Sequence, residues 1–293
     1  MTTIGLAGSG EIAGFVLRQL ASKYTVRVLR LGDGLLHCER SEKVADVSSL
    51  TKGVDIVVLC TDSDTARHAL LQRTNWLSTN SAKNQIVVDM SQGDPDETRL
   101  FARDLSEFGI TFVDAPLHTE NTEAIEEASA IFFGGAEAAL ESVREVLSTI
   151  CPKIIHSGDV GTGHAMRLVV SAIAACNRLI TYECASMGAR NGLAMGDMAT
   201  VLNKSSGYNS ASARVLPALA VNERTADVTL GMWANDLRKA SALGMRYGAP
   251  MLIATMARST LDAASNRLGE SSSIDRLAEI WEVDSGLPAP GAG

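Results

Sequence analysis

Six residues, Gly8-Ser9-Gly10-Glu11-Ile12-Ala13, follow the apolar run Thr3–Ala7 and open a helical pattern. They fit G-x-G-x-x-A, and strand before with helix after is the context that gives this spacing meaning. Gly8 permits a tight turn, Gly10 lets the backbone approach a ligand, and Ala13 keeps helix and strand close. The helix N-terminus adds unshared N–H groups and the positive end of a dipole, which suit phosphate. The pattern predicts a dinucleotide held by Gly8, Ser9, Gly10, Glu11 and Ile12. About 20 residues on, NAD-binding chains place an acid at the end of the second strand. Here Arg30 occupies that place. A guanidinium there suits a 2′-phosphate and stacks on adenine, so NADP is expected ahead of NAD. In the competing reading Arg30 is only solvated and Asp33 acts as the acid. Thr61, just past Val54–Cys60, is counted with the cofactor-binding residues.

These residues need a scaffold. Short apolar runs at Thr3–Ala7, Val26–Leu31, Val54–Cys60, Gln85–Met90, Ile110–Val113, Ala130–Phe133 and Lys153–Ser157 read as strands. Helical patterns at Ile12–Ser22, Thr65–Gln72, Pro95–Phe108 and Ala136–Ile150 lie between them. Buried strands alternating with helices predict a parallel, doubly wound α/β sheet of the Rossmann type. After the turn Gly158–Gly163 the chain reads as helix upon helix, beginning with His164–Gly188. The expected division is a dinucleotide-binding domain over 1–160 and an all-helical domain for substrate and dimerisation over 161–285, with a loose tail at 286–293.

Composition narrows the partners. The chain has 293 residues, 46% hydrophobic and 20% charged, with a formal net charge of −8. It lacks the basic run that nucleic-acid binding needs. The five cysteines are scattered with no C-x-x-C pair, which argues against a disulfide framework and for a reducing compartment. No metal site is expected. The N-terminus has no basic n-region or long apolar h-region, so a cytoplasmic location is expected. The most apolar stretch, Ala165–Ile180, carries Arg167, Asn177 and Arg178, and reads as a buried helix instead of a membrane span. Cys60, Trp233 and the methionines of 185–198 and 245–256 read as packing residues.

The chain resembles the β-hydroxyacid dehydrogenases, the family of 3-hydroxyisobutyrate dehydrogenase and 6-phosphogluconate dehydrogenase. The resemblance rests on Ile4–Gly10, on Val88-Asp89-Met90-Ser91, and on Phe112–Pro116 followed at family spacing by Gly134-Gly135. It continues through Gly161-x-Gly163 with Glu183, Ser205-Ser206-Gly207, Trp233–Leu237, and Gly248-x-Pro250. It implies the fold above, NAD or NADP as cofactor, Ser91 in a cofactor loop, and a small-molecule substrate. It also implies a homodimer or higher homo-oligomer pairing through the long helices, for which Leu168, Ala172, Ala175 and Leu179 form a suitable stripe. An internal core face is the other reading of that stripe.

The resemblance also locates four departures. The family's proton-handling lysine, in G-x-G-x-x-x-K-x-x-N-N, is Arg167 here, and its two asparagines are Val170 and Ser171. The substrate loop S-G-G is His118-Thr119-Glu120, and the lysine of K-D-L is Asn235. Arg167, Ser171, His118 and Asn235 are therefore the expected catalytic set. Arg167 and Ser171 are i, i+4 and share a helix face. Arginine stays protonated, so Arg167 suits a carboxylate or oxyanion better than acid–base work. Histidine ordinarily titrates near neutral pH, so His118 is the candidate for moving the proton. Glu120 would repel an acidic substrate while Arg167 attracts one. His164, one turn earlier, is expected to be a helix-end cap or exposed. The expected activity is oxidation of a small hydroxyacid or reduction of its carbonyl counterpart. An imine-reductase-like NADPH enzyme, suggested by Glu126–Gly134, and a non-catalytic dinucleotide-binding protein are the alternatives.

Overall fold

The computed structural model describes residues 3–31, 38–61, 63–72, 85–119, 129–221, 223, 225 and 228–281. Asp33, Glu120, residues 126–128 and the tail 286–293 lie outside them. The chain forms two compact units, Met1–Arg167 and Leu168–Gly293.

In the first unit, β1 (Thr3–Gly8), β2 (Thr25–Arg30), β3 (Ser41–Val44), β4 (Ile56–Cys60), β5 (Ile86–Asp89) and β6 (Thr111–Asp114) run parallel in the order β3-β2-β1-β4-β5-β6. Helices α1 (Gly10–Lys23), α2 (Val47–Thr51), α3 (Asp64–Leu71), α4 (Pro95–Ser106) and α5 (Glu137–Ile150) accompany them. The two sheet faces bury alternate residues of one strand. Ile56, Val58 and Cys60 of β4 join a core with α1 and α5, while Val57 and Leu59 join a core with Leu70 and Leu105. This is the Rossmann-type arrangement expected, because a strand buried on both faces must be apolar throughout.

The far edge departs from the expected parallel pattern. β8 (Ala130–Gly134) pairs antiparallel with β6 and with the two-residue β7 (Leu117–His118), and β9 (Ile154–Gly158) pairs parallel with β8. All five residues of β8 are buried. A continuous apolar run has no polarity of its own, so its composition fits either direction.

α6 (Thr162–Arg190) begins in the first unit and continues into the second. The second unit adds α7 (Met195–Leu202), α8 (Ser210–Val221), α9 (Leu230–Arg246), α10 (Leu252–Leu268) and a 3-10 helix at Ile274–Trp281. Among the described residues its only β pairing is the isolated bridge Thr229–Ser273. α6 is long and apolar enough to cross a membrane by length and composition, yet half of its most apolar window is buried within the protein. The stripe assigned to dimer pairing is part of the core: Leu168, Ala172, Ala175 and Leu179 pack with Val215, Trp233, Leu237 and Leu261. The apolar face left in water lies one residue on, at Val169, Ile173 and Ile180, and on α10 at Leu252, Ile253 and Met256. The methionines divide likewise. Met198 is buried, but Met187, Met245 and Met256 are exposed, so they are not core packing as expected.

Candidate functional site

Gly8 ends β1 and pairs in register with Arg30 on one side and Cys60 on the other. Strand order reverses at β1, so the crevice beyond the strands' carboxyl ends opens at this residue. A Cβ on Gly8 would lie 2.5 Å from the Cys60 carbonyl oxygen and 2.8 Å from the Ala13 Cβ. The contact between strand and helix therefore leaves room only for glycine. Gly10 has φ +79°, the left-handed region that glycine enters without strain. Ser9 is extended, and its side chain gives no cap to α1. The first amides of α1 thus end at a tight bend without a side-chain cap, which fits the diphosphate of a nicotinamide dinucleotide. Ile12 is half-buried against the core behind the bend, Glu11 is exposed, and Arg30 is half-buried.

Thr61 and Ser91 are brought together at the ends of β4 and β5. The Thr61 amide donates to Ser91 Oγ at 3.0 Å, and both residues are buried.

Behind Ser91 lies a group of buried polar side chains that the sequence did not announce. Arg67 Nε donates to Asp89 Oδ2 at 2.7 Å, and Arg67 Nη2 donates to Thr98 Oγ1 at 2.9 Å. Asp89 Oδ1 accepts from the Ser91 amide at 3.0 Å. Asp114 Oδ1 accepts from the Gly161 amide at 2.6 Å, and Oδ2 accepts from the His164 amide at 2.7 Å. One carboxylate thereby caps the N-terminus of α6, where negative charge is favoured. A Cβ on Gly163 would sit 2.3 Å from the Phe132 carbonyl oxygen, so Gly163 lets α6 start hard against β8. His164 is neither a cap nor exposed, contrary to expectation. Its ring is fully buried, with Nδ1 2.8 Å from Thr98 Oγ1 and Nε2 2.9 Å from the Ser91 carbonyl oxygen.

Burial sets the charge states. It pushes His164 down to about 3; the Arg67 and Arg167 charges push the same way, against Asp89. Burial also lifts Asp114 to about 6, against the two amides that favour its ionised form. At Asp89 burial is the largest single effect and works upward too, but Arg67, His164 and the Ser91 amide together outweigh it and hold the carboxyl below its ordinary range. Arg67 and Asp89 are thus the charged pair, and the neighbouring His164 is neutral.

Of the expected catalytic residues, Arg167 lies one turn beyond His164 on α6 and is only 4% exposed. His118 is half-buried on β7, its ring stacked on Phe132 at 5.8 Å. Both belong to the first unit. In the second, Ser171 is buried on α6, and Asn235 on α9 is half-buried and accepts from Arg238 at 3.4 Å. Ser205, Ser206 and Gly207 are exposed, as is Glu183.

A family model described as the NAD binding domain of 6-phosphogluconate dehydrogenase matches residues 3–158, more than half of the chain. A second, described as the NAD-binding of NADP-dependent 3-hydroxyisobutyrate dehydrogenase, matches residues 161–281. The chain belongs to the β-hydroxyacid dehydrogenase family. It is an NAD(P)-dependent dehydrogenase. Among its relatives is 2-(hydroxymethyl)glutarate dehydrogenase of Eubacterium barkeri, 25% identical over 98% of this chain and 96% of that one. In fold this family member is similar to 3-hydroxyisobutyrate dehydrogenase of Mycobacterium tuberculosis solved with L-serine, at TM-score 0.83 and 17% identity over 96% of this chain and 99% of that one. It is also similar to an imine reductase from Myxococcus stipitatus solved with NAD+, at TM-score 0.62 and 18% identity over 95% and 99% of the two chains.

Proposed function

We propose that this dehydrogenase oxidises a small hydroxyacid, or reduces the corresponding carbonyl compound, with Arg167 in the role of substrate clamp. The observation that carries this reading is the buried Arg167 guanidinium, standing where the family has lysine and one turn beyond a helix start fixed by Asp114. Bound NAD or NADP supplies or takes the hydride. Arg167 keeps its charge, so it holds a carboxylate or a developing oxyanion by paired N–H donors and does not move protons. Ser171, one turn further along the same helix, offers a hydroxyl to orient the substrate. His118 is the group proposed to carry the proton. Gly8, Ser9, Gly10, Glu11 and Ile12 hold the diphosphate, with Thr61 and Ser91 beside them at the strand ends. Arg30, level with Gly8 in the sheet, supports NADP over NAD.

A second copy of the chain is the proposed partner of the exposed face on α6 and α10. Ile173, Leu252 and Ile253 there line an apolar hollow of about 520 Å³. The relative named as a hydroxymethylglutarate dehydrogenase also favours an acidic substrate. A reducing, cytoplasmic setting is proposed from the scattered spacing of the five cysteines.

The test is turnover with both nucleotides against hydroxyacids, aldehydes and cyclic imines, repeated with Arg167→Ala. Hydroxyacid oxidation that falls by about a hundredfold or more in the variant is expected, the size of loss seen when one partner of a buried charged contact is removed. Full turnover by Arg167→Ala would show that this helix face does not hold the substrate. Turnover of cyclic imines alone would replace the hydroxyacid reading with an imine-reductase one.

A further inference from the structure

The buried histidine was not needed for the proposed function, and its surroundings are unusual. Its ring is closed off from water, yet both ring nitrogens have partners on different elements. The Ser91 carbonyl can only accept, so Nε2 carries the ring proton. A neutral ring then leaves Nδ1 as an acceptor beside the Thr98 hydroxyl, which accepts from Arg67 Nη2 and has one proton to share between Nδ1 at 2.8 Å and the Asp94 carbonyl oxygen at 2.9 Å. The result is a buried polar chain that joins Arg67, Thr98 and His164 to the main chain at Ser91. Packing supports the same tie: a Cβ on Gly93 would come within 2.7 Å of both Arg67 Nη2 and His164 Cε1, so the segment after Ser91 lies directly on these two side chains. His164 is also three residues before Arg167 and has its own amide fixed by Asp114.

We propose that His164 is a positioning residue that ties the Ser91 segment, on the cofactor side, to the first turns of the helix carrying Arg167, on the substrate side. This rests on the roles proposed above for Ser91 and Arg167. The ring touches no reacting atom in this account; it sets a separation. Transfer between two bound partners is sensitive to their separation, and a displacement on the order of 1 Å lowers rate more than affinity. A residue that merely filled space would have no need of two correctly placed polar atoms.

The experiment compares His164→Leu, which keeps bulk and loses both hydrogen bonds, with His164→Gln, which keeps one donor and one acceptor. Two measurements are made: amide hydrogen exchange over residues 90–94 of the protein without nucleotide, and steady-state kinetics with NADPH or NADP and the active substrate. In His164→Leu, exchange in that segment rises by about tenfold or more while the remaining sheet amides are unchanged. Its kcat falls by about tenfold or more, with both KM values within about threefold. His164→Gln restores both. Unchanged exchange in His164→Leu, faster exchange with kcat intact, or a glutamine variant no better than the leucine one would overturn the proposal. If the wild-type protein turns over nothing in the panel, the functional reading fails, and the exchange measurement alone decides the tie.

Discussion

Arg67 and Asp89 face each other at 2.7 Å with side chains 1% and 0% exposed, a salt bridge sealed between α3 and the end of β5. Such a pair offsets its own desolvation only if the remaining polar atoms are also satisfied. Here Thr98 takes a second guanidinium nitrogen and the Ser91 amide takes the second carboxylate oxygen. The fold's cofactor side is thus built on a charge pair without access to water.

Removing one member leaves the other buried and uncompensated. Arg67→Met is expected to destabilise the protein by about 3–5 kcal/mol in denaturant unfolding. The double variant Arg67→Met/Asp89→Asn recovers a large part of the loss. A double variant as unstable as the sum of the two single ones would show that the pair is not coupled.

The pH dependence of stability follows from two groups of opposite sign. The His164 value is depressed from 6.5 to about 3, so only the unfolded chain takes up a proton in that window. Its contribution is complete above 6.5 and is lost as pH falls toward 3. The Asp114 value is raised from 3.8 to about 6, so its contribution is complete below 3.8 and is lost as pH rises through about 6. Between pH 4 and 6 the two oppose each other. Wild type should therefore lose more stability than His164→Gln on acidification from pH 7 to pH 4, read by urea unfolding at each pH. Parallel curves for the two proteins would contradict a buried neutral histidine.

Arg30→Ala is expected to weaken NADPH by about tenfold or more while leaving NADH within about threefold, because only NADPH carries the 2′-phosphate that a guanidinium grips. Equal losses for both nucleotides would assign Arg30 to the adenine or to the fold.

Ile173 and Ile253 are 58% and 69% exposed, so charging them costs the folded chain little. Ile173→Glu with Ile253→Glu should convert a sedimenting dimer to a monomer of unchanged melting temperature. A double variant that remains dimeric would place the interface elsewhere.

What the sequence disclosed depended on range. The bend at Gly8–Gly10 is a local device, and strand, glycines and helix stand within a few residues of one another. The inner strands of the parallel sheet were legible because each carries an apolar run, and β2 still shows one in Val26, Val28 and Leu29 despite Arg27. β3 was not, since Ser41–Val44 is an edge strand with no buried residue and no apolar run. Of the two readings of the stripe Leu168, Ala172, Ala175 and Leu179 on α6, the internal core face is the one observed. A helix with apolar residues at 168, 169, 172, 173, 179 and 180 carries two candidate faces, and only its neighbours decide which one is buried. His164 was missed for a similar reason. Its partners Ser91 and Thr98 are 73 and 66 residues away, and no local pattern distinguishes a buried histidine from a capping one. Arg67 left no signal beyond its place on an amphipathic helix. Asp89 stood inside a motif noted for Ser91, and it was the only trace of the buried pair.

Every proposed role requires a nucleotide bound at the bend between β1 and α1. Fluorescence titration of the purified protein with NADPH and with NADH measures it directly. Saturable binding of NADPH, tighter than that of NADH, is the predicted result. No binding of either nucleotide at millimolar concentration would contradict the account.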